Sequence, residues 1–408
     1  MQDRLKAVGF YAKGETHWRA LLRDTVAGAL GIRPDRVPSG LRAWPGFRSI
    51  VQEEFRVLSY VMDWKDAFAE SPSLDVEWCN VNNLIEFESG LRRLKQFPLS
   101  IVLHSAAWDD LRLLRLAQGR FQDRRGALLL FYGNEYHNMQ EKIAFARSVA
   151  ADYVASQLPL ASAQWLYADC HASVIVPAPA ALNPRVYHCD RSERSIDLGF
   201  RGDIYASAYA LGDQERTEIL QYFDRHAEQW GLTKDIAFVR HPREQWNEFL
   251  NRCKGIMGAE SGTYFLERDD HTRQAVIEFM ASKPEATFPE IHERFFQRYE
   301  NPVSGKAISS RHFEPVGTKT CQLLLEGHYN GILRADEHYI EIRKDFSNIS
   351  DAIRRFKDHE YRTAMTERAS AHVLSAHTYG HRVAALLDYV LVGRRDEKGE
   401  AKPLRGAV

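Results

Sequence analysis

Short β-rich runs alternate with longer segments of helical periodicity along this chain, and one proline-rich stretch interrupts the alternation before it resumes. The interruption is VPAPAALNP, Val176 to Pro184. Its prolines fix φ and restrict the residues before them, which predicts an extended connector. Alternating strands and helices predict βαβ units and parallel sheets. We therefore predict an α/β protein with two Rossmann-like domains, residues 1–184 and 185–378.

The predicted strands divide between the two halves of the chain. In the first half they are Lys6 to Tyr11, Leu74 to Val81, Leu99 to His104, Ala127 to Tyr132 and Ser173 to Pro177; in the second half they are Ile196 to Phe200, Ile236 to Val239, Gly255 to Ala259 and Tyr339 to Ile342. Apolar residues three and four apart predict helices at Asp109 to Gln118, Glu141 to Gln157, Glu215 to Trp230 and Asn348 to Lys357.

The end of the chain has a pattern of its own. Tyr361 to Val392 is a long periodic stretch, which predicts a helix that leaves the second domain, with residues 379–392 packing back on the first. The residues after Gly393 are charged and poor in apolar side chains. Such composition cannot bury enough apolar surface to order a chain, so we predict a disordered tail over 393–408.

One segment fits neither half. Tyr264 to Asn301 carries several aromatic residues among many charges. We interpret it as a helical insertion in the second domain. A cap on the sheet edge, an oligomer contact and a role in acceptor binding remain open for it.

Composition excludes several classes of protein. The chain has 54 basic and 55 acidic side chains, which disfavours a nucleic-acid partner. Its five cysteines are scattered and form no C-x-x-C pair, so we expect buried thiols in a reducing cytoplasm. The apolar run Ala7 to Tyr11 is too short for a signal peptide or a membrane span. We predict a cytoplasmic protein without a transmembrane segment; peripheral contact with the inner membrane face remains open.

Ligands of open α/β sheets bind beyond the carboxyl ends of the strands, so the loops that follow strands are the first candidates for a site. GNEYHN follows Ala127 to Tyr132 and places Glu135 and His137 two residues apart. Both side chains can transfer protons near neutral pH in a suitable environment, so they are candidate catalytic residues. The alternative is a polar turn whose side chains satisfy backbone groups.

KGETHW follows the first predicted strand. A helix that starts there would direct its N-terminus into the cleft and favour polar or anionic ligands. We predict that Gly14, Glu15 and His17 lie on the acceptor side.

The second half contains the strongest polar motifs. In GAESGTYF, Glu260 precedes Ser261, Gly262 and Thr263; their amides and hydroxyls are suited to phosphate or sugar oxygens, and the carboxylate to sugar hydroxyls. In ISSRHFEPVGTKT, Glu314 is suited to a ribose diol and Arg311 or Lys319 to a diphosphate, with Gly317 and Thr318 beside them. A helix cap or a surface ion pair is the alternative for each motif.

Two further loops of the second half support the same site. GFRGD offers Arg201 to a leaving diphosphate, and RHP, Arg240 to Pro242, places His241 beside the base. The alternative for each loop is that its residues only form a turn and contact no ligand.

Some cofactors are disfavoured by missing motifs. No G-x-G-x-x-G is present, which argues against a nicotinamide or flavin enzyme. No D-x-D follows a strand, and no Asp and His cluster has metal-site spacing. We expect no bound metal and no cofactor, with the charge of a leaving group stabilised by basic residues and a helix N-terminus.

Two strings together resemble a known family. FEPVGTKTCQLLLEGHYNGIL with HYIEIRKDFSN, within Phe313 to Asn348, is similar to the donor-domain signature of the group 1 (GT4-like) glycosyltransferases of the GT-B fold, in the branch related to the spore-maturation protein CgeB. ADYVASQLPLASAQWLY with VPAPAALNP, within Ala151 to Pro184, resembles the end of a GT-B first domain and its linker.

The resemblance implies that two glutamates, usually eight positions apart, hold the donor. Glu314 matches the second, which contacts the ribose. Lys306 stands where the first is usual, so we predict that Glu260 takes its part, as a catalytic residue as well as a donor contact, and that Tyr264 to Asn301 is inserted between them.

The resemblance also implies a reaction. It is the transfer of a sugar, as in a hexosyltransferase, from a nucleotide-diphosphate-sugar to a hydroxyl group without a metal, in polysaccharide or glycoconjugate biosynthesis. Many relatives retain stereochemistry, and the leaving phosphate helps to deprotonate the acceptor. A glycan, a lipid-linked sugar or a small molecule can be the acceptor. A nucleotide-sugar epimerase and a non-catalytic binding module remain the alternatives, and the oligomeric state is open.

Overall fold

Two parallel β-sheets form the frame of the protein, and helices pack on both faces of each. The computed structural model describes residues 4–12, 18–29, 59–104, 109–190, 193–202 and 206–396. Within these ranges, no helix is both long enough and apolar enough to cross a membrane.

The first half of the chain forms a six-stranded sheet in the order β2-β1-β3-β4-β5-β6. Its strands are β1 Leu5–Tyr11, β2 Leu74–Asn80, β3 Leu99–His104, β4 Ala127–Tyr132, β5 Tyr153–Ser156 and β6 Val174–Pro177. Its helices are α1 Trp18–Ala29, α2 Ser59–Glu70, α3 Leu84–Arg93, α4 Asp109–Leu116, α5 Gln118–Gln122, α6 Met139–Ser148 and α7 Leu160–Leu166.

The second half forms a five-stranded sheet in the order β11-β10-β9-β7-β8. Its strands are β7 Ile196–Arg201, β8 Lys234–Ala237, β9 Cys253–Gly258, β10 Cys321–Leu325 and β11 Ile340–Ile342. Its helices are α8 Glu215–His226, α9 Arg243–Arg252, α10 His271–Ser282, α11 Phe288–Ile291, α12 Ser310–Gly317, α13 Ile349–Lys357 and α14 His359–Ala376; α15 Tyr379–Asp396 follows them.

Burial explains why the central strands are continuous apolar runs. All five residues of β10 are buried, as are the last five of the six residues of β4. A parallel sheet covered by helices on both faces has no solvent face, so its strands do not alternate apolar with polar.

Each sheet reverses its strand order at its first strand, β1 in one and β7 in the other. Such a reversal opens a crevice at the carboxyl ends of the strands.

The last helix returns to the first half. The apolar side chains of Tyr379, Val383, Leu386, Leu387 and Val390 are buried in the same cluster as residues of the first sheet. Because α15 belongs to the end of the chain but packs on the first sheet, the two halves are joined twice. The two crossings lie side by side: the Leu182 amide donates to the His377 carbonyl and the Tyr379 amide to the Leu182 carbonyl, both at 3.0 Å. The predicted α/β class with a returning C-terminal helix is confirmed.

Several predicted elements differ from the structure. Part of the predicted helix Glu141 to Gln157 is strand β5, whose four residues are all buried; a short, fully buried strand has no periodicity that separates it from a helix. Strand β8 begins two residues earlier than predicted and leaves Phe238 and Val239 half exposed. Strand β10 was not predicted as a strand at all.

The C-terminal region also differs in part. The predicted helix Tyr361 to Val392 is two helices that meet at His377 and Thr378. The helix α15 extends to Asp396, so the first four residues of the predicted disordered tail are helical; residues 397–408 lie outside the described residues. The domain limits at 184 and 378 remain predictions.

The predicted insertion contains α10, α11 and a small core of its own. Val276, Ile291 and Phe296 are buried together with Ala210 and Ala286. The insertion also contacts the first half, because the Asp270 carboxylate accepts a 2.6 Å hydrogen bond from the Met139 amide at the start of α6.

Candidate functional site

A cleft of about 190 Å³ lies between the two halves, at the carboxyl ends of both sheets. The loops after β4 and β5 supply Asn134, Glu135, Tyr136, Gln157 and Leu158, and α2 supplies Tyr60. The second half supplies the loops after β8 and β9, the chain from Gly305 to Arg311 and the start of α8. The cleft therefore occupies the position at which open α/β sheets bind ligands.

Four arginines of the second half line this cleft: Arg216, Arg240, Arg243 and Arg311. Among the described residues that line it, Glu135 is the one carboxylate. Arg216, Arg243 and Arg311 each lie in the first turn of a helix. The positive end of the helix dipole disfavours a cation there unless an anion lies close by; for Arg243 the carboxylates of Asp63 and Asp66 supply that anion, and for Arg216 and Arg311 a bound ligand can supply it. The arrangement is suited to a ligand that carries phosphate.

The start of α12 forms one wall of the cleft. Ser309, Ser310 and Arg311 line it, so the first helical turn, the part of a helix that commonly binds anions, borders the ligand space. His312 fixes this turn: its Nδ1 accepts from the Ser309 amide at 3.0 Å, and its Nε2 lies 3.1 Å from the Ala259 carbonyl. Burial lowers the pKa of His312 to about 4, so the ring is neutral near pH 7.

Glu314 lies one turn further along α12, behind this wall. Its Oε2 accepts a 2.6 Å hydrogen bond from Trp246 Nε1 and is 3.9 Å from Arg311 Nε. The Arg311 guanidinium also stacks over the Trp246 ring at 4.6 Å. The carboxylate is buried and does not line the cleft; it orients Arg311, which does.

The predicted motif that starts at Glu260 is partly in the cleft. Ser261 and Gly262 line it, while the Glu260 Oε1 accepts a 2.6 Å hydrogen bond from the Tyr329 amide. The Thr263 hydroxyl donates to the Leu211 carbonyl, so this side chain faces the interior of the second half.

Backbone hydrogen bonds join the loop after β9 to the chain from Gly305 to Arg311, which is another part of the second half. Ser261 and Ala307 exchange two backbone hydrogen bonds of 2.9 Å. Gly262 has φ +89°, and a Cβ there would lie 2.1 Å from the Gly305 carbonyl oxygen. Glycine is therefore required at position 262 by both its conformation and its neighbour.

Glu135 lies in the wall that belongs to the first half. Oε1 accepts from the Ser156 hydroxyl at 2.6 Å and the Tyr167 hydroxyl at 2.8 Å, and Oε2 accepts from the Gln157 amide at 2.8 Å. Burial raises its pKa. Below the same loop, Lys142 Nζ donates to the Gly133 and Asn134 carbonyls at 2.8 and 2.9 Å. The carboxylate thus holds the loop that faces the cleft.

His137 does not line the cleft. It lies toward Arg273 of the insertion, and burial together with Arg273 and Lys142 lowers its pKa to about 4. Its Nδ1 is buried without a hydrogen-bond partner among the described residues. The structure therefore separates His137 from Glu135, although they are two residues apart.

Arg201 also lies outside the cleft, and His241 lies within it. Arg201 pairs with Asp235 at 2.8 Å and stacks over Phe249 at 4.0 Å. Its Nε donates to His241 Nε2 at 3.2 Å, so Arg201 orients the histidine. Burial and the arginines at 201 and 311 lower the pKa of His241.

Three predicted donor contacts lie at the wrong end of α12 to reach the cleft. Gly317 packs against the Tyr187 carbonyl, Thr318 is buried against Thr320, and Lys319 pairs with Glu367 at 2.7 Å. These residues precede β10 and so lie at the amino edge of the sheet, whereas ligands bind at the carboxyl edge. The predicted acceptor-side residues Gly14, Glu15 and His17 lie outside the described residues.

Ion pairs across the cleft join the two halves. Arg243 Nη1 donates to Asp63 Oδ1 and to Asp66 Oδ2 of α2, both at 2.8 Å. Asn183, at the connector, donates to the same Asp63 oxygen at 2.8 Å. Burial raises the pKa of Asp63 to about 7 even though Arg243 opposes the shift. We call Arg243, Asp63 and Asp66 the latch.

Sequence reasoning missed Arg216, Arg243 and Tyr60. A basic residue in the first turn of a helix is a signal that could have identified the two arginines, since the dipole disfavours it. Tyr60 carries no such signal.

No group of three or more His, Cys, Asp or Glu side chains within the described ranges could hold a metal ion.

The fold and site together define the architecture. Two Rossmann-like halves face one another across a cleft at the carboxyl edges of their sheets, and the last helix crosses back; this is the GT-B fold.

Comparison with known proteins gives three results. Residues 263–388 match the family model described as "Glycosyl transferase-like". That segment includes Arg311 and Glu314. No curated protein sequence matches the chain.

Solved structures with low sequence identity align with most of the chain. HepE of Anabaena, solved with UDP-glucose, has 9% identity and a TM-score of 0.46, covering 95% of this chain and 100% of its own. Sucrose-phosphate synthase of Thermosynechococcus elongatus has 10% identity and a TM-score of 0.47, covering 97% and 100%. Trehalose 6-phosphate synthase of Burkholderia multivorans has 13% identity and a TM-score of 0.41, covering 100% of both.

Proposed function

We propose that this chain is a glycosyltransferase that moves a sugar from a nucleotide-diphosphate-sugar to a hydroxyl acceptor. The observation that carries the proposal is the cleft with four arginines and the start of α12 at its wall. The diphosphate is the part of such a donor that needs this charge. The match of residues 263–388 to a glycosyltransferase-like family supports it, and so does the resemblance to the branch related to CgeB.

The arginines take the part that a divalent ion plays in other transferases. When the bond between the anomeric carbon and the phosphate oxygen breaks, negative charge develops on the leaving diphosphate. Preorganised donors stabilise such charge at no reorganisation cost at the moment of reaction. We assign this role to Arg311, because Glu314 and Trp246 hold its side chain at the cleft. We propose that the reaction needs no metal.

Retention of configuration is part of the proposal. In an internal-return reaction the acceptor oxygen bonds to the anomeric carbon on the face that the diphosphate leaves, and the acceptor proton passes to a leaving phosphate oxygen. No enzymatic base is then required. The state of Glu135 is consistent with this, since both of its carboxylate oxygens already accept hydrogen bonds from the protein.

The remaining site residues are assigned roles by position. Ser261, Gly262 and the chain at Gly305 and Ala307 line the cleft beside the arginines and would contact the sugar. Asn134, Tyr136 and Gln157 of the first half face them and would contact the acceptor.

Turnover tests the proposal. The protein, treated with EDTA, is incubated with UDP-, GDP-, dTDP-, CDP- and ADP-glucose together with a pool of glycan, lipid-linked and simple sugar acceptors. We expect release of one nucleoside diphosphate that depends on acceptor and persists in EDTA. Conversion of donor without acceptor would contradict a transferase, and activity restored only by a divalent ion would contradict the metal-independent mechanism.

A further inference from the structure

Lys306 stands eight residues before Glu314, where the family it resembles usually has a glutamate. Its neighbours Gly305 and Ala307 both line the cleft. The Lys306 side chain does not line it and is only 3% exposed. A charged group so completely buried requires compensating charge close by.

Two carboxylates supply that charge. Lys306 Nζ lies 2.5 Å from Asp213 Oδ2 and 2.8 Å from Glu215 Oε2. Burial disfavours the ammonium ion, but Asp213 and Glu215 outweigh it and raise the pKa of Lys306. Burial of Glu215 acts to raise its pKa, but Lys306 and Lys344 outweigh this effect and lower the pKa. The network is therefore charged near neutral pH.

The network continues to the donor side of the cleft. Glu215 is the first residue of α8, and the next residue, Arg216, lines the cleft. Glu215 Oε1 also accepts from the Tyr264 hydroxyl at 2.9 Å and pairs with Lys344 at 2.7 Å. Lys306 thus joins two walls, the chain from Gly305 to Arg311 and the first turn of α8.

We propose that Lys306 is a positioning residue for the donor diphosphate: by holding Glu215 it fixes the first turn of α8 so that Arg216 faces the phosphate. This inference rests on the proposed function. It replaces the direct sugar contact of the usual glutamate with an indirect role in phosphate binding. It also explains why a lysine is compatible with an active cleft, since the side chain points into the network and leaves the wall to Gly305 and Ala307.

Loss of the ammonium group should therefore act on donor binding. Without it, the partly buried carboxylates of Asp213 and Glu215 lose their shared partner, and the two ion pairs that tie the first turn of α8 to the chain at Gly305 are lost. Arg216 would then leave its position for the phosphate. Binding of a nucleoside diphosphate should fall, while the chemical step, once the donor is bound, should change little.

The test measures nucleoside diphosphate affinity by calorimetry and donor kinetics for Lys306→Met and Lys306→Arg. The nucleotide is the one of UDP, GDP, dTDP, CDP and ADP that the unmodified protein binds. Lys306→Met should raise Kd and the donor KM at least tenfold and change kcat by less than about threefold, because a buried charged partner is lost. Lys306→Arg keeps the ion pairs and should restore most of the affinity.

Lys254→Met is the control for the loss of an ion-paired lysine away from the cleft. Lys254 is also ion-paired, to Asp197 at 2.7 Å, but it lies at the amino end of β9, away from the cleft. Its substitution should leave Kd unchanged. Wild-type affinity in a folded Lys306→Met variant would overturn the inference.

If Lys306→Met does not fold, the triple variant Lys306→Met with Asp213→Asn and Glu215→Gln replaces it, because it leaves no buried charge unpaired. It should fold and still bind weakly; wild-type affinity there would equally overturn the inference. If the unmodified protein binds none of the five nucleotides, the proposed function itself fails, which is a different result.

Discussion

Of the two cations predicted to contact the diphosphate, Arg311 and Lys319, the structure favours Arg311. It lines the cleft in the first turn of α12, stacks over Trp246 and lies 3.9 Å from the Glu314 carboxylate. Lys319, near the other end of the same helix, pairs with Glu367. The two cations were equal candidates for the diphosphate from sequence, and the structure distinguishes them.

We therefore expect Arg311→Gln to weaken nucleoside diphosphate binding, and Lys319→Gln to leave it unchanged. A hydrogen bond to a charged group contributes about 1.5–3 kcal/mol, so Kd should rise by roughly 10- to 150-fold. Calorimetry measures both variants, with thermal unfolding as the check on folding. Equal effects in the two variants would contradict the site.

At this scale the sequence predicted part of the lining of the cleft. Ser261, Gly262, His241 and Arg311 follow strands or begin a helix, and all four line the cleft. Lys319 and Thr318 were placed with Arg311 because they are close in sequence, but a helix of eight residues carries them to the opposite edge of the sheet. Closeness in sequence does not show which end of a helix faces a ligand.

At the scale of elements, the cleft wall depends on the bridge between Ser261 and Ala307. Gly262 makes this bridge feasible, since its φ is +89° and the Gly305 carbonyl oxygen is 2.1 Å from where a Cβ would be. Gly231 provides a comparison: its φ is +65°, but no atom lies within 4 Å of its Cβ position.

Gly262→Ala should therefore destabilise the protein by about 1–3 kcal/mol and weaken nucleotide binding, because strain and a backbone clash act together. Gly231→Ala should cost only the conformational strain, about 1–2 kcal/mol, and spare binding. Urea unfolding and calorimetry measure the two effects. Normal binding by Gly262→Ala would mean that this bridge does not shape the site.

Three histidine rings lie together beside the junction of α14 and α15. His338, in the loop before β11, stacks on His372 with ring centroids 4.4 Å apart, and the rings of His372 and His377 are tilted with centroids 4.9 Å apart. Burial lowers the pKa of His338 and of His377 to about 4. Arg382, His372 and His381 add to the shift at His377.

Stability should consequently fall as pH drops from about 6.5 to about 4. The unfolded chain takes up protons on histidine near pH 6.5, whereas the folded protein resists until about pH 4, so the unfolded state binds more protons in this window. His377→Asn should reduce the fall, and substitution of the exposed His188 should not. Urea unfolding at several pH values measures it; a fall of the same size in His377→Asn would contradict the assignment.

Strand prediction failed at β5 and β10, in which every residue is buried. The strand β5 has four residues, too few to separate a strand from a helix by periodicity. The residues of β10 were assigned to a family signature and not to a strand. Neither alternates, because helices cover both faces of a parallel sheet. The longer strands of the first half were predicted closely, since turn residues bound their apolar runs.

At the scale of the whole molecule, the latch holds the halves together. Arg243 reaches Asp63 and Asp66 across the cleft, and Asp63 also accepts from Asn183 at the connector. These contacts join residues far apart in sequence, which is why sequence reasoning did not find them.

Removing the latch carboxylates should open the ligand-free protein. We expect Asp63→Asn with Asp66→Asn to increase the radius of gyration in small-angle scattering, because two ion pairs across the cleft are lost. Asp224→Asn is the control, since Asp224 pairs with Lys234 within the second half at 2.9 Å. Indistinguishable scattering curves for the latch variant and the unmodified protein would show that other contacts maintain closure.

The central claim is that the arginine cleft binds the diphosphate of a nucleotide donor. Calorimetry of the EDTA-treated protein with UDP, GDP, dTDP, CDP and ADP, and with the matching monophosphates and nucleosides, tests it most directly. We predict that one diphosphate binds at least tenfold more tightly than its monophosphate and that salt weakens this binding. Equal affinity for the diphosphate and its nucleoside, or no binding at all, would contradict the claim.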